Sequence, residues 1–220
     1  MTERGLNQIG ATGGILFVVL QLVGRTLIQV GGLEPSSHAS TEQIVEFFEA
    51  RDTSLFNIGS YLKAVSVIPL LGFLAVLRGV LRRAEGEAGW LTLVATGAGL
   101  LFLALVAEGG FWQIALFRAD GLDPRTARLL FDLGNFSFAM QWVMVGALAF
   151  SVGVIGIRFG AFPAWLSWLG VALGISLVVA RLFWASDAAV IPYTLFWAWL
   201  VALSVLIFRR AGAHQDLVEH

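Results

Sequence analysis

Six apolar stretches dominate the chain, at about residues 9–30, 55–77, 90–117, 133–157, 164–184 and 192–208. A helix needs about 20 residues, at about 1.5 Å of rise each, to cross the hydrocarbon core of a bilayer. Lipid offers no partner to backbone N–H and C=O groups, so spanning segments are helices or the strands of a closed barrel. Barrel strands alternate apolar and polar residues over about ten positions. These stretches are longer and continuously apolar. They predict an all-α, polytopic integral membrane protein. It forms a single transmembrane domain, residues 1–220, with six transmembrane helices.

Composition agrees. Hydrophobic residues make up 58% of the chain and charged residues 13%, against about 25% charged in a soluble domain. A net charge of −1 argues against nucleic acid as a partner. The absence of cysteine excludes disulfides, thiol nucleophiles, thiolate metal sites and covalent haem attachment. His38, His214 and His220 all lie outside the apolar stretches. Neither His-Glu-x-x-His, Gly-x-Ser-x-Gly nor a P-loop occurs. No cofactor, metal ligand or catalytic residue is therefore assigned.

The first span contains Arg25 and is not followed by a small-x-small cleavage site, so it is read as retained rather than as a signal peptide. The Lys/Arg bias sets orientation. With the N-terminus cytoplasmic, Arg4, Arg78, Arg82, Arg83, Arg158, Arg209 and Arg210 lie inside, and Arg51, Arg118, Arg125 and Arg128 outside. That is seven against four, and it puts both N- and C-termini in the cytoplasm. Trp90, Trp165 and Trp168 fall at the inner interface, and Trp112 and Trp184 near the outer one, as aromatic belts do.

Proline and capping residues mark boundaries. Pro163 and Pro192 fall in the first turns of spans five and six. Asp123-Pro124 reads as an N-cap and first-turn proline, so the fourth helix is expected to begin outside the membrane. Pro69 predicts a kink inside span two. Ser40-Thr41-Glu42-Gln43 has the form of a capping box. A short external amphipathic helix is expected at 41–50, between spans one and two, on the outer leaflet or as a lid. Gly10/Gly14, Gly156/Gly160 and Gly170/Gly174 have the four-residue spacing of close helix contacts.

Four charges fall inside the spans: Arg25, Lys63, Glu108 and Arg181. Each costs about 3 kcal/mol or more on insertion scales, so such residues mark function by default. All four lie in the outer half. Arg25 and Arg181 are close enough to helix ends to snorkel to the headgroups. Lys63 and Glu108 lie deeper and are expected to pair in the bundle interior. Gln21, Arg25 and Gln29 form one polar stripe on span one. Asn57 and Ser60 sit above Lys63, Asp132 and Asn135 share a face of span four, and Tyr193 and Trp197 one of span six. The candidate ligand-binding set is Gln21, Arg25, Lys63, Glu108, Asn135, Arg181 and Tyr193. It forms an outward-facing pocket in which positive charge prevails, suited to an anion, a carboxylate or a lipid phosphate.

Three segments carry a resemblance: EQIVEFFEARDTSLFNIGSYL into span two, GLDPRTARLLFDLGNFSF into span four, and GAFPAWLSWLGVALG into span five. They resemble a family of small bacterial membrane proteins known only as a domain of unknown function. The resemblance covers about residues 10–208. It implies six helices and brings no activity. Thirteen arginines against one lysine fit GC-rich coding and point to a bacterial plasma membrane.

Three functions fit these features. The first is binding or transport of a small anionic or amphiphilic ligand. The second is service as an accessory or assembly subunit of a larger membrane complex. The third is an enzyme acting on lipid, with Glu108 or Asp132 as base. The expected partners are membrane lipid, a small anionic ligand, and another protein or further copies of the chain as a homo-oligomer.

Overall fold

The computed structural model describes residues 3–30, 32–108, 110–118 and 121–213, without the side chains of residues 3, 4, 108, 212 and 213. The described residues form α-helices joined by loops and short 3-10 turns, with no strand. The helices are α1 (Glu3–Ile28), α2 (Thr41–Glu49), α3 (Thr53–Val65), α4 (Val67–Glu85), α5 (Trp90–Glu108), α6 (Phe111–Phe117), α7 (Pro124–Phe159), α8 (Ala164–Ala180) and α9 (Ile191–Ala213). Six segments are long and apolar enough to cross a membrane: Gly5–Ile28, Thr53–Glu85, Trp90–Phe117, Pro124–Phe159, Ala164–Phe183 and Asp187–Ala211. The chain has the architecture of a multi-pass membrane protein.

The spans form a closed ring. Span one packs on α3 and α4, α4 on α5, α5 on α7, α7 on α8, α8 on α9, and α9 returns to α1. Small residues allow the close approaches. A Cβ on Gly174 would stand 2.7 Å from the Gly146 carbonyl oxygen, and one on Gly170 3.0 Å from that of Ala149. The Gly170/Gly174 pair therefore serves the α7–α8 contact within one bundle. The Gly10/Gly14 pair does the same for α1 against α4 and α9.

Helix ends follow local chemistry. The Asp123 carboxylate accepts the Thr126 N–H at 3.1 Å and Pro124 occupies the first turn, so α7 starts well before its apolar run. It stops at Gly160, whose φ of +68° is left-handed. Glu85, buried at the far end of α4, caps α5 by accepting from the Leu91 and Thr92 N–H groups at 2.9 and 2.8 Å. The capping box at Ser40 forms as expected, with Gln43 as its reciprocal partner. The exposed Glu42 carboxyl, held by its own backbone N–H and then by the Ser40 hydroxyl, is pulled below the usual value. Helix α2 lids the bundle: Ile44, Phe47 and Phe48 are buried against Ala115 and Phe131, with Trp112 alongside.

Two spans are broken where continuous helices or a simple kink were expected. Span two divides at Ser66, three residues before Pro69. Proline has no N–H to give the Val65 carbonyl, and its ring crowds that carbonyl, so the chain yields in the turn ahead of it. Span three is interrupted after Glu108 and resumes as α6 at Phe111. Span five ends as helix at Ala180 and continues as a 3-10 turn, Arg181–Phe183.

Candidate functional site

The ring encloses a cavity of about 540 Å³ at the end opposite the termini. That volume lies within the range of small-molecule sites, about 300–1,000 Å³. Its wall is built from the polar stripe of α1 (Gln21, Arg25) with Gln29 just past its end, Ser60 and Lys63 of α3, Trp112 and Gln113 of α6, Asn135, Gln141 and Trp142 of α7, and Tyr193 and Trp197 of α9. Residues 33–37 and 184–187 form its rim.

Below the cavity the ring axis is filled by aromatic rings. Phe17 packs edge-on against Phe102 at 5.9 Å, and Phe102 against Phe196 at 6.4 Å. All three are fully buried. They come from α1, α5 and α9, each about one turn below a cavity-lining residue of the same helix. The cavity is blind: open at the rim and plugged at its base.

The break in span two stands in the cavity wall. Gln21 Nε2 donates to the Ser66 hydroxyl oxygen at 2.9 Å and to the Lys63 carbonyl at 3.2 Å. The Ser66 hydroxyl also donates to the Lys63 carbonyl, at 2.6 Å. A buried glutamine of span one thus satisfies backbone that the break releases. Gly24 and Gly59 bring α1 and α3 together just above; a Cβ on either would lie within 2.6 Å of the other's carbonyl oxygen.

Charges are arranged unevenly. Arg25 Nη2 stands 3.8 Å from Glu34 Oε2, a carboxylate on the rim loop. Lys63 is half-buried, and its ammonium makes no hydrogen bond or ion pair among the described residues. Its Cα–Cβ bond tilts toward the N-terminus of α3, and so toward the rim. The floor residues Gln141 and Tyr193 are joined by a hydrogen bond of 3.4 Å. Trp142 and Trp197 bury indole N–H groups without a formed hydrogen bond among the described residues, that of Trp197 close to the Tyr193 hydroxyl.

Two arginines hold the rim loop. Arg51 donates to the carbonyls of Val30, Gly32 and Leu33 and lies 4.0 Å over the Phe47 ring. Arg128 donates to those of Ala39 and Ser37 and is fixed by Asp132 at 2.9 Å. The Ser37 hydroxyl donates to the Ala185 carbonyl, which ties the two rim segments together.

Of the expected site residues, Gln21, Arg25, Lys63, Asn135 and Tyr193 line this one cavity. Arg181 does not. Its guanidinium lies 4.4 Å over the Phe136 ring, with Nη2 3.5 Å from Met140 Sδ, because the 3-10 turn ending span five swings it off the inner face. Glu108 closes α5, and its side chain lies outside the described residues, as does its expected pairing with Lys63. Asp132 is engaged with Arg128. Sequence reasoning missed Glu34, Gln113, Gln141 and Asp187 as lining groups. Positive charge does not prevail among the described residues: Arg25 and Lys63 face Glu34 and Asp187. No metal-binding group of His, Asp and Glu occurs among them. No family model, curated protein or solved structure matches the chain.

Proposed function

We propose that the protein binds a small ligand through an anionic group, with Lys63 as its counter-charge, in the blind cavity of the helix ring. One observation carries this reading: an ammonium on a cavity wall, within the span of a membrane helix, with no hydrogen bond or ion pair among the described residues, the neighbouring carboxylate of Glu34 lying against Arg25 instead. Desolvating a charge there is costly, so its persistence fits a bound partner. Arg25, held loosely by Glu34, is a second donor within the same space. The walls beyond the charges are aromatic and aliphatic, which suits an amphiphile. With seven Lys/Arg residues on the terminal side against four, the rim faces outward across a bacterial plasma membrane. The phenylalanine plug favours capture over free conduction; transport requires the plug to move.

Native mass spectrometry of wild type and Lys63→Met from mild detergent tests the reading. A small copurifying mass is expected on the wild type and absent from the variant. The same mass on both would contradict it. A second polypeptide in place of a small mass would favour an assembly subunit.

A further inference from the structure

The cavity rim carries a second charge, the exposed carboxylate of Asp187. Asp187, on the rim, makes no hydrogen bond or ion pair among the described residues. It opens the 3-10 turn Asp187–Val190 that leads into α9. Trp184 lines the same rim, braced edge-on by Phe136 at 5.8 Å. A carboxylate beside an indole is a receptor for an ammonium group.

The charges of the cavity sort themselves. Arg25 and Glu34 face each other at 3.8 Å. Glu34 also acts on Lys63, so Arg25, Lys63 and Glu34 form an inner cluster with one positive charge in excess, and Asp187 is the further carboxylate of the described lining, at a shallower depth. Lys63 lies ten residues along α3 from Thr53, about 15 Å below the rim end of that helix. Asp187 lies on the rim itself. A simple anion would satisfy Lys63 and be repelled by Asp187 on its way in. A ligand with its anionic group inward and a cationic group outward satisfies both.

We propose that the ligand is zwitterionic, a phosphate or carboxylate at Lys63 joined to an ammonium at Asp187 and Trp184. This rests on the anion-site reading above. A phosphoethanolamine lipid headgroup and a free zwitterionic solute share this chemistry.

The test uses two soluble phosphodiester probes that share the anionic group and differ in the arm it carries, glycerophosphoglycerol with a neutral arm and glycerophosphoethanolamine with a cationic one. Each is titrated into the detergent-solubilised full chain as wild type, Asp187→Asn and Lys63→Met, with melting temperature as the folding control. The wild type should prefer the zwitterion roughly fivefold. Asp187→Asn should abolish that preference and keep glycerophosphoglycerol binding, and Lys63→Met should weaken both. In nanodiscs, Lys63-dependent retention of phosphatidylethanolamine over phosphatidylglycerol assigns the ligand to a lipid, and retention of the soluble probe alone to a free solute. Equal wild-type binding of both probes, or a preference surviving Asp187→Asn, overturns the zwitterion and leaves the anion site standing. If neither probe nor lipid is retained in a Lys63-dependent way, both readings fall.

Discussion

Gln21 of span one and Ser66 in the break of span two are joined by a hydrogen bond of 2.9 Å, and through it the two helices share the Lys63 carbonyl. The node fixes where the lysine stands. Pro69 forces the break, Gln21 satisfies the backbone it frees, and Lys63 occupies the last turn of the half-helix above.

Gln21→Leu removes both donations and leaves buried acceptors short of a partner. It should destabilise the protein by about 1–2 kcal/mol. Thermal unfolding in detergent measures this. Gln21→Glu, which keeps shape but adds a charge, should be worse than Gln21→Leu.

Lys63→Met should separate stability from binding. Removing an intramembrane charge that has no ion pair among the described residues should leave the ligand-free protein as stable or raise its stability by about 1–3 kcal/mol. Ligand retention should disappear. A large loss of stability would mean that the ammonium has a structural partner.

Gly24→Ala places a methyl group against the Gly59 carbonyl at 2.6 Å and Lys63 Cγ at 2.8 Å. It should cost about 1–3 kcal/mol and weaken binding by shifting α3. Gly79→Ala is the control: nothing lies within 4 Å of that position. The helix interior there should gain about 0.5–1 kcal/mol.

Arg128→Leu loses the donations to Ala39 and Ser37 and the pair with Asp132. Amide exchange in residues 32–40 should quicken, with α7 and α8 unaffected. Unchanged exchange would show that Arg51 and the α2 packing hold the loop without it.

Much of this was legible in the sequence. Six spans follow from hydropathy and length. Gln21, Arg25 and Gln29 share the cavity because a four-residue spacing fixes one helix face. Asp123-Pro124 and Ser40-Thr41-Glu42-Gln43 placed helix starts because caps are local chemistry. The failures have physical causes. Arg181 was judged by depth alone, and depth does not fix azimuth once the last turn tightens to 3-10. Glu34 and Asp187 reach the cavity from loops, where no periodicity reports direction. Pro69 announced a disturbance, but the backbone gave way a turn earlier, at the carbonyl the proline cannot serve.

The most direct measurement is an experimental structure of the protein with phosphatidylethanolamine supplied in the detergent. The account predicts density for an anionic group inside the ring, about 3 Å from Lys63 Nζ. A lysine paired with a protein carboxylate, and density only on the outer surface of the ring, would contradict it.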